Sequence, residues 1–112
     1  MCRSPLGALS AVLLALPAAR AADWQVLYSG TDMTIKLDAS SIEQREGALV
    51  AWEEVSFATD QTDEDHPSPY RSEVELWAYE CALGQASIVE LTEYSEPDAQ
   101  GKAVAKGNSA GK

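Results

Sequence analysis

The sequence predicts a mainly β domain, a single antiparallel meander of five or six strands, set behind an N-terminal export leader. Three observations predict it. Apolar residues beyond Ala22 recur at every second position, as in Met33, Ile35 and Leu37, which is the period of a half-buried strand. Short turn-forming stretches separate these runs, with no long helical pattern between them. The first residues carry a positive start, an apolar run and a small-residue ending.

The leader comes first. Arg3 supplies the charge, Leu6 to Leu16 is an apolar run of 11 residues, Pro17 breaks the helix, and Ala19-Arg20-Ala21 places small residues at the −3 and −1 positions. Cleavage after Ala21 would start the mature chain at Ala22. The apolar run is too short to cross a hydrocarbon core of ~30 Å, which takes about 20 helical residues. No second apolar stretch follows, so the expected product is soluble and without stable membrane insertion. No Cys follows the run at the cleavage point, so a lipid anchor is not expected; Cys2 leaves with the leader.

The chain of 112 residues has a formal charge of −10. Two of its eight basic residues, Arg3 and Arg20, lie in the leader, whereas all 18 acidic residues lie beyond Ala22. The exported part is therefore more acidic still. Such a surface repels phosphate backbones and anionic membranes, which excludes nucleic acid as a partner, and permits basic partners or cations. A domain of this size buries a modest core and commonly gains from a disulfide, a ligand or a partner.

Trp24 to Ser29 reads as the first strand and Asp32 to Leu37 as the second, joined through Ser29-Gly30-Thr31-Asp32 as a hairpin. Asp38 can accept a backbone hydrogen bond two or three residues on, starting one helical turn at most through Ser40-Ser41, with Ile42 folding back. Gln44 to Gly47 offers no apolar residue and reads as an exposed turn. Ala48 to Phe57 is the third strand, apolar on both faces and so central, or bulged near Glu53-Glu54. Ala58 to Pro69 is an acidic loop. Tyr70 to Cys81 is the longest strand, with Val74, Leu76 and Ala78 on one face and Trp77, Tyr79 and Cys81 on the other. After a turn at Leu83-Gly84-Gln85, Ala86 to Tyr94 is the fifth strand. A turn at Ser95 to Gln100 and a short strand at Lys102 to Ala105 follow. The expected domains are thus a leader at 1–21, a β domain at 22–105 and a polar tail at 106–112.

No residue set carries recognisable catalytic, cofactor or metal chemistry. His66, the one histidine, sits in the acidic loop with no scaffold to orient it as a catalytic base. Asp60, Asp63, Glu64 and Asp65 lack the glycine and terminal bidentate carboxylate of the commonest calcium loop, so they read as solvated. Glu73 and Glu75 share a strand face; without a cleft they too read as a solvated face. Trp24, Trp52 and Trp77 read as core. Cys81 stands alone in the mature chain as a buried apolar residue, a free thiol or half of a bridge; zinc would need more ligands.

The order of Trp24, Leu37-Asp38-Ala39-Ser40-Ser41-Ile42, Val50-Ala51-Trp52, Pro69-Tyr70-Arg71-Ser72 and Tyr79-Glu80-Cys81 behind an export leader resembles the surface-adhesin protein E family of Gram-negative bacteria, over Asp23 to about Gly101. The resemblance implies an α+β fold, a six-stranded antiparallel sheet with a helix packed across it. It also implies a disulfide from the position of Cys81 to a Cys near the C-terminus. This sequence departs there, since Lys102 to Lys112 holds neither an amphipathic helix nor a second Cys. The alternatives are a truncated or mispredicted product and a variant that lost the clamp. Truncation is the one expected, because the uncovered sheet face needs that helix, with the bridging partner of Cys81 absent from the chain. The founding adhesin is a lipoprotein, and the anchoring Cys is lacking here.

The function expected is a non-enzymatic binding or structural module, exported to the periplasm or alternatively to the outer surface. Its partner would be an envelope or host matrix protein, docking on an uncovered sheet face at Trp77, Tyr79 and Tyr94 or on an open strand edge. The alternatives are a small periplasmic enzyme or enzyme inhibitor, and a truncated form without function.

Overall fold

The computed structural model describes residues 22–64 and 68–108. The expected leader, Cys2, Asp65, His66 and residues 109–112 lie outside the described residues. What is described is one antiparallel sheet in the order β1-β2-β4-β5-β6-β7, with β3 pairing beside β2 on the same edge of β4. The strands are β1 (Trp24–Ser29), β2 (Met33–Asp38), β3 (Glu43–Arg45), β4 (Ala48–Gln61), β5 (Tyr70–Glu80), β6 (Gln85–Glu96) and β7 (Gln100–Asn108). The mainly β meander is the fold expected, and the single 3-10 turn at Ala39–Ser41 is the only helical piece among the described residues.

Four boundaries differ from the sequence reading. β3 forms where an exposed turn was expected. Its three residues are all exposed, so it leaves no apolar signature, and it is held by a tight turn in which Glu46 and Gly47 both take positive φ, the geometry of a two-residue hairpin. β4 continues to Gln61, shortening the acidic loop. The register jumps between Ser56 and Gln61, a bulge whose carbonyls would lose their ladder partners. Arg71 satisfies them, its guanidinium donating to the carbonyls of Phe57 and Ala58 at 3.1 Å each. β6 runs on to Glu96 and β7 to Asn108, because the turn between them is only Pro97-Asp98-Ala99.

The pairing fixes two faces. Leu37, Glu53 and Glu75 lie opposite one another across β2, β4 and β5, so by strand alternation one face, here the front, carries Leu37, Leu49, Ala51, Val55, Trp77 and Tyr79. The back carries Val50, Trp52, Leu76 and Tyr94. The buried apolar residues divide between them: Leu37, Leu49, Ala51 and Val55 in front, Val50 and Leu76 behind. β1 is an edge strand exposed along its whole length.

Candidate functional site

Two polar constructions inside the sheet are structural. On the back face, Asp38 Oδ1 accepts from the Asp23 amide at 2.8 Å, the Ser40 amide at 3.0 Å and the Ser40 hydroxyl at 2.6 Å. Ser41 donates to the Asp38 carbonyl and accepts from the Trp52 amide. This clamp, tying β1, the 3-10 turn and β4 together, is what the Asp38-Ala39-Ser40-Ser41 stretch builds. The recess of about 330 Å³ beside it, lined in part by Trp52 and Leu76, has several of its polar groups committed to the clamp. The second construction is Ser72, which donates to the Glu96 carbonyl at 2.6 Å and accepts from the Ala99 amide at 2.9 Å, fastening the β6–β7 turn to β5.

The front face is different. Tyr79 and Trp77 stack along β5 with ring centroids 6.2 Å apart and planes at 19°, both half-buried. Each aromatic head reaches a carboxylate: Tyr79 donates to Glu53, and Trp77 Nε1 to Glu75 Oε1 at 2.8 Å. Further along the same face Glu73 lies opposite Glu93 in the β5–β6 register. The residues leading out of β4 and into β5 bring Asp63 and Tyr70 to the same place, Tyr70 donating to Asp63 at 3.2 Å while its ring packs edge-on against Phe57 at 6.0 Å.

Five carboxyls therefore gather on one face: Glu53, Asp63, Glu73, Glu75 and Glu93. The solvated reading of Glu73 and Glu75 does not hold. Glu75 is 7% exposed and Glu93 3%, and Glu73 is half-buried. Burial pushes the Glu73 carboxyl up to about 8, reinforced by its hydrogen bond with Glu75 and the charges of Glu75 and Glu93. Burial likewise pushes Glu93 up to about 7, with a hydrogen bond to Asp63 and the Asp63 charge adding to it. Glu93 Oε1 is buried without a hydrogen-bond partner, which costs free energy unless a proton or a cation is supplied. The phenols of Tyr70 and Tyr79 are both raised, burial first and neighbouring carboxylates next. The other orphaned carboxyl oxygen, Glu54 Oε2, is on the back face. Burial raises Glu54, Lys36 opposes that shift and Asp98 adds to it. No group of three or more His, Cys, Asp or Glu among the described residues is arranged to hold a metal ion.

Of the residues expected at a docking surface, Trp77 and Tyr79 are brought together. Tyr94 is not: it pairs with Ser72 on the back face and is half-buried. The three tryptophans do not converge, since Trp24 lies on the exposed edge, Trp52 behind and Trp77 in front. Cys81 opens the β5–β6 turn, is exposed and is not a free thiol, so neither a core role nor a free-thiol role fits it; its bridging partner lies outside the described residues. The acidic loop is not wholly solvated either, because Asp63 is tied to Tyr70. The sequence shows Glu73 with Glu75 and Asp63 within its acidic loop, but not that these and Glu93 meet, because the contact is made by the β5–β6 pairing and the path of the chain out of β4. The available signal was phase: Glu73 and Glu75 keep step with Trp77 and Tyr79, and Glu93 with Leu91.

Residues 24–112 match the family model described as surface-adhesin protein E. No curated protein matches the chain.

Proposed function

The chain belongs to the surface-adhesin protein E family, and from that premise we propose that it is an exported, non-enzymatic binding module whose front sheet face docks a protein of the envelope or host matrix. The observation that carries this is the half-exposed Trp77–Tyr79 stack. Stacked aromatics with polar heads already oriented by Glu75 and Glu53 present a rigid, amphipathic surface, the kind that dominates protein interfaces. Export is supported by the Arg3-to-Ala21 leader pattern, with the periplasm as the first location and the outer surface as the alternative. No helix among the described residues is long and apolar enough to cross a membrane.

The test is capture. Immobilised protein is exposed separately to envelope extract and to purified host matrix proteins, beside a Trp77→Ala variant checked for cooperative unfolding. The expected result is a bound protein that the variant loses. Blanks from both sources, or capture indifferent to Trp77, would overturn the reading.

A further inference from the structure

The front face holds carboxyls with no cation among the described residues to answer them. The two ion pairs among the described residues, Lys36 with Asp98 and Arg45 with Glu43, draw their cations from back-face positions of β2 and β3 and leave Glu53, Asp63, Glu73, Glu75 and Glu93 without a cation. Surface acids in solvent would make this unremarkable, but Glu93 is 3% exposed and its Oε1 has no partner. A buried carboxyl oxygen left so, facing Glu73 across the β5–β6 ladder and touching Asp63, marks a place where positive charge is wanted.

The layout selects the kind of charge. The carboxyls do not converge as metal ligands do. They are strung along the strands: Glu73 and Glu75 are alternate residues of β5, about 6.6–6.8 Å apart along it. Trp77 and Tyr79 continue the same row at the same interval. Alternate side chains of an extended peptide repeat at that spacing, and an aromatic face beside carboxylates suits a guanidinium or ammonium group.

Resting on the docking reading above, we propose that the strip from Asp63 and Glu93 through Glu73 and Glu75 to Trp77 receives an extended basic segment of the protein partner, with Lys or Arg at alternate positions. The cations meet Glu73 and Asp63 at the half-exposed rim, and Glu93 ionises beneath them. Because Glu73 and Glu93 hold their protons to unusually high pH, binding releases protons, and affinity rises as pH climbs through that range. The groups facing this proton exchange are Asp63 beyond β4, Tyr70, Glu73 and Glu75 on β5, and Glu93 on β6, with Glu53 of β4 reaching Tyr79.

The experiment titrates the purified protein with a short peptide alternating Lys and Thr, and with its blocked isomer, all Lys before all Thr, at low and high salt. The alternating peptide should bind, about tenfold or more tightly than the isomer. Its affinity should fall with salt and rise from about pH 6 to about pH 8.5. Glu73→Gln should weaken it about tenfold, and Glu90→Gln, an exposed acid on the back of β6, should leave it unchanged. Glu93→Gln, checked by thermal melt, should flatten the pH dependence. No binding, equal affinity for both isomers, equal loss in Glu73→Gln and Glu90→Gln, or equal competition by calcium or spermine would overturn the assignment. If a captured partner depends on Trp77 but not on Glu73, docking stands and the basic segment falls. If nothing is captured at all, the docking reading itself falls.

Discussion

Ser72 is the most deeply buried side chain of any size among the described residues, at 0% exposure, and it is polar. Its single hydroxyl serves the Glu96 carbonyl and the Ala99 amide, backbone groups that lie 24 and 27 residues away. Ala99 needs the help, since it takes φ of 58° beside Asp98 at 59°, a left-handed pair that costs each Cβ-bearing residue about 1–2 kcal/mol. Ser72→Ala removes the hydroxyl and strands both backbone groups in a dry place. The expected loss is about 2 kcal/mol in denaturant unfolding. Ser56→Ala, which removes bonds to the exposed Asp98, should cost about 0.5 kcal/mol, because water can replace them. A loss at Ser72 no larger than at Ser56 would show that the hydroxyl is not the fastener of the turn. The sequence showed Pro69-Tyr70-Arg71-Ser72 as a motif but not this use of it, because both partners are backbone atoms, at the end of β6 and in the turn after it, 24 and 27 residues further along the chain.

Elements were legible where apolar residues fell at every second position, even though neither face of β2 or β5 is left wet. β2 and β5 follow the alternation read from Met33–Leu37 and Val74–Tyr79. β3 was invisible because Glu43, Gln44 and Arg45 bury nothing and exist as a strand only by pairing with Val50, Leu49 and Ala48. The extension of β4 was invisible because its bulge depends on an arginine supplied by β5. The two sheet edges are unequal. β7 carries Lys102 and Lys106, charges of the sort that discourage edge-to-edge pairing, whereas Trp24–Ser29 has no charge and leaves Val26, Leu27 and Tyr28 more than half exposed. β1 is thus the edge at which copies of the protein would associate. Leu27 sits at the irregularity between Val26 and Tyr28, so Leu27→Lys should change stability by no more than about 0.5 kcal/mol and lower concentration-dependent association. Sedimentation velocity across a concentration series would check it, and unchanged association would clear β1 as the sticky edge.

At the scale of the whole molecule the front-face carboxyls invert the usual response of an acidic protein to pH. Most carboxylates are held below their ordinary range in a fold and lose stability on acidification. Here Glu73 is raised from 4.5 to about 8 and Glu93 from 4.5 to about 7, so the folded chain binds more protons than the unfolded one across that interval. The stability these groups contribute is full below their ordinary range and is lost as pH rises through about 7 and then about 8. The melting temperature should therefore fall between about pH 5.5 and about pH 8.5, by roughly 5 °C for a domain of this size. Glu73→Gln, which keeps the hydrogen-bonding shape of the protonated acid without its titration, should flatten much of that fall. General repulsion among the many surface acids predicts a decline of the same sign, and salt separates the two causes. About 0.5 M salt screens charges more than a few ångströms apart in solvent but screens a partly buried cluster much less. A pH-dependent fall that survives high salt and shrinks in Glu73→Gln belongs to the cluster. One that vanishes in salt belongs to net charge, and a melting temperature that holds or climbs toward pH 8.5 would mean that Glu73 and Glu93 are ionised throughout in the folded protein.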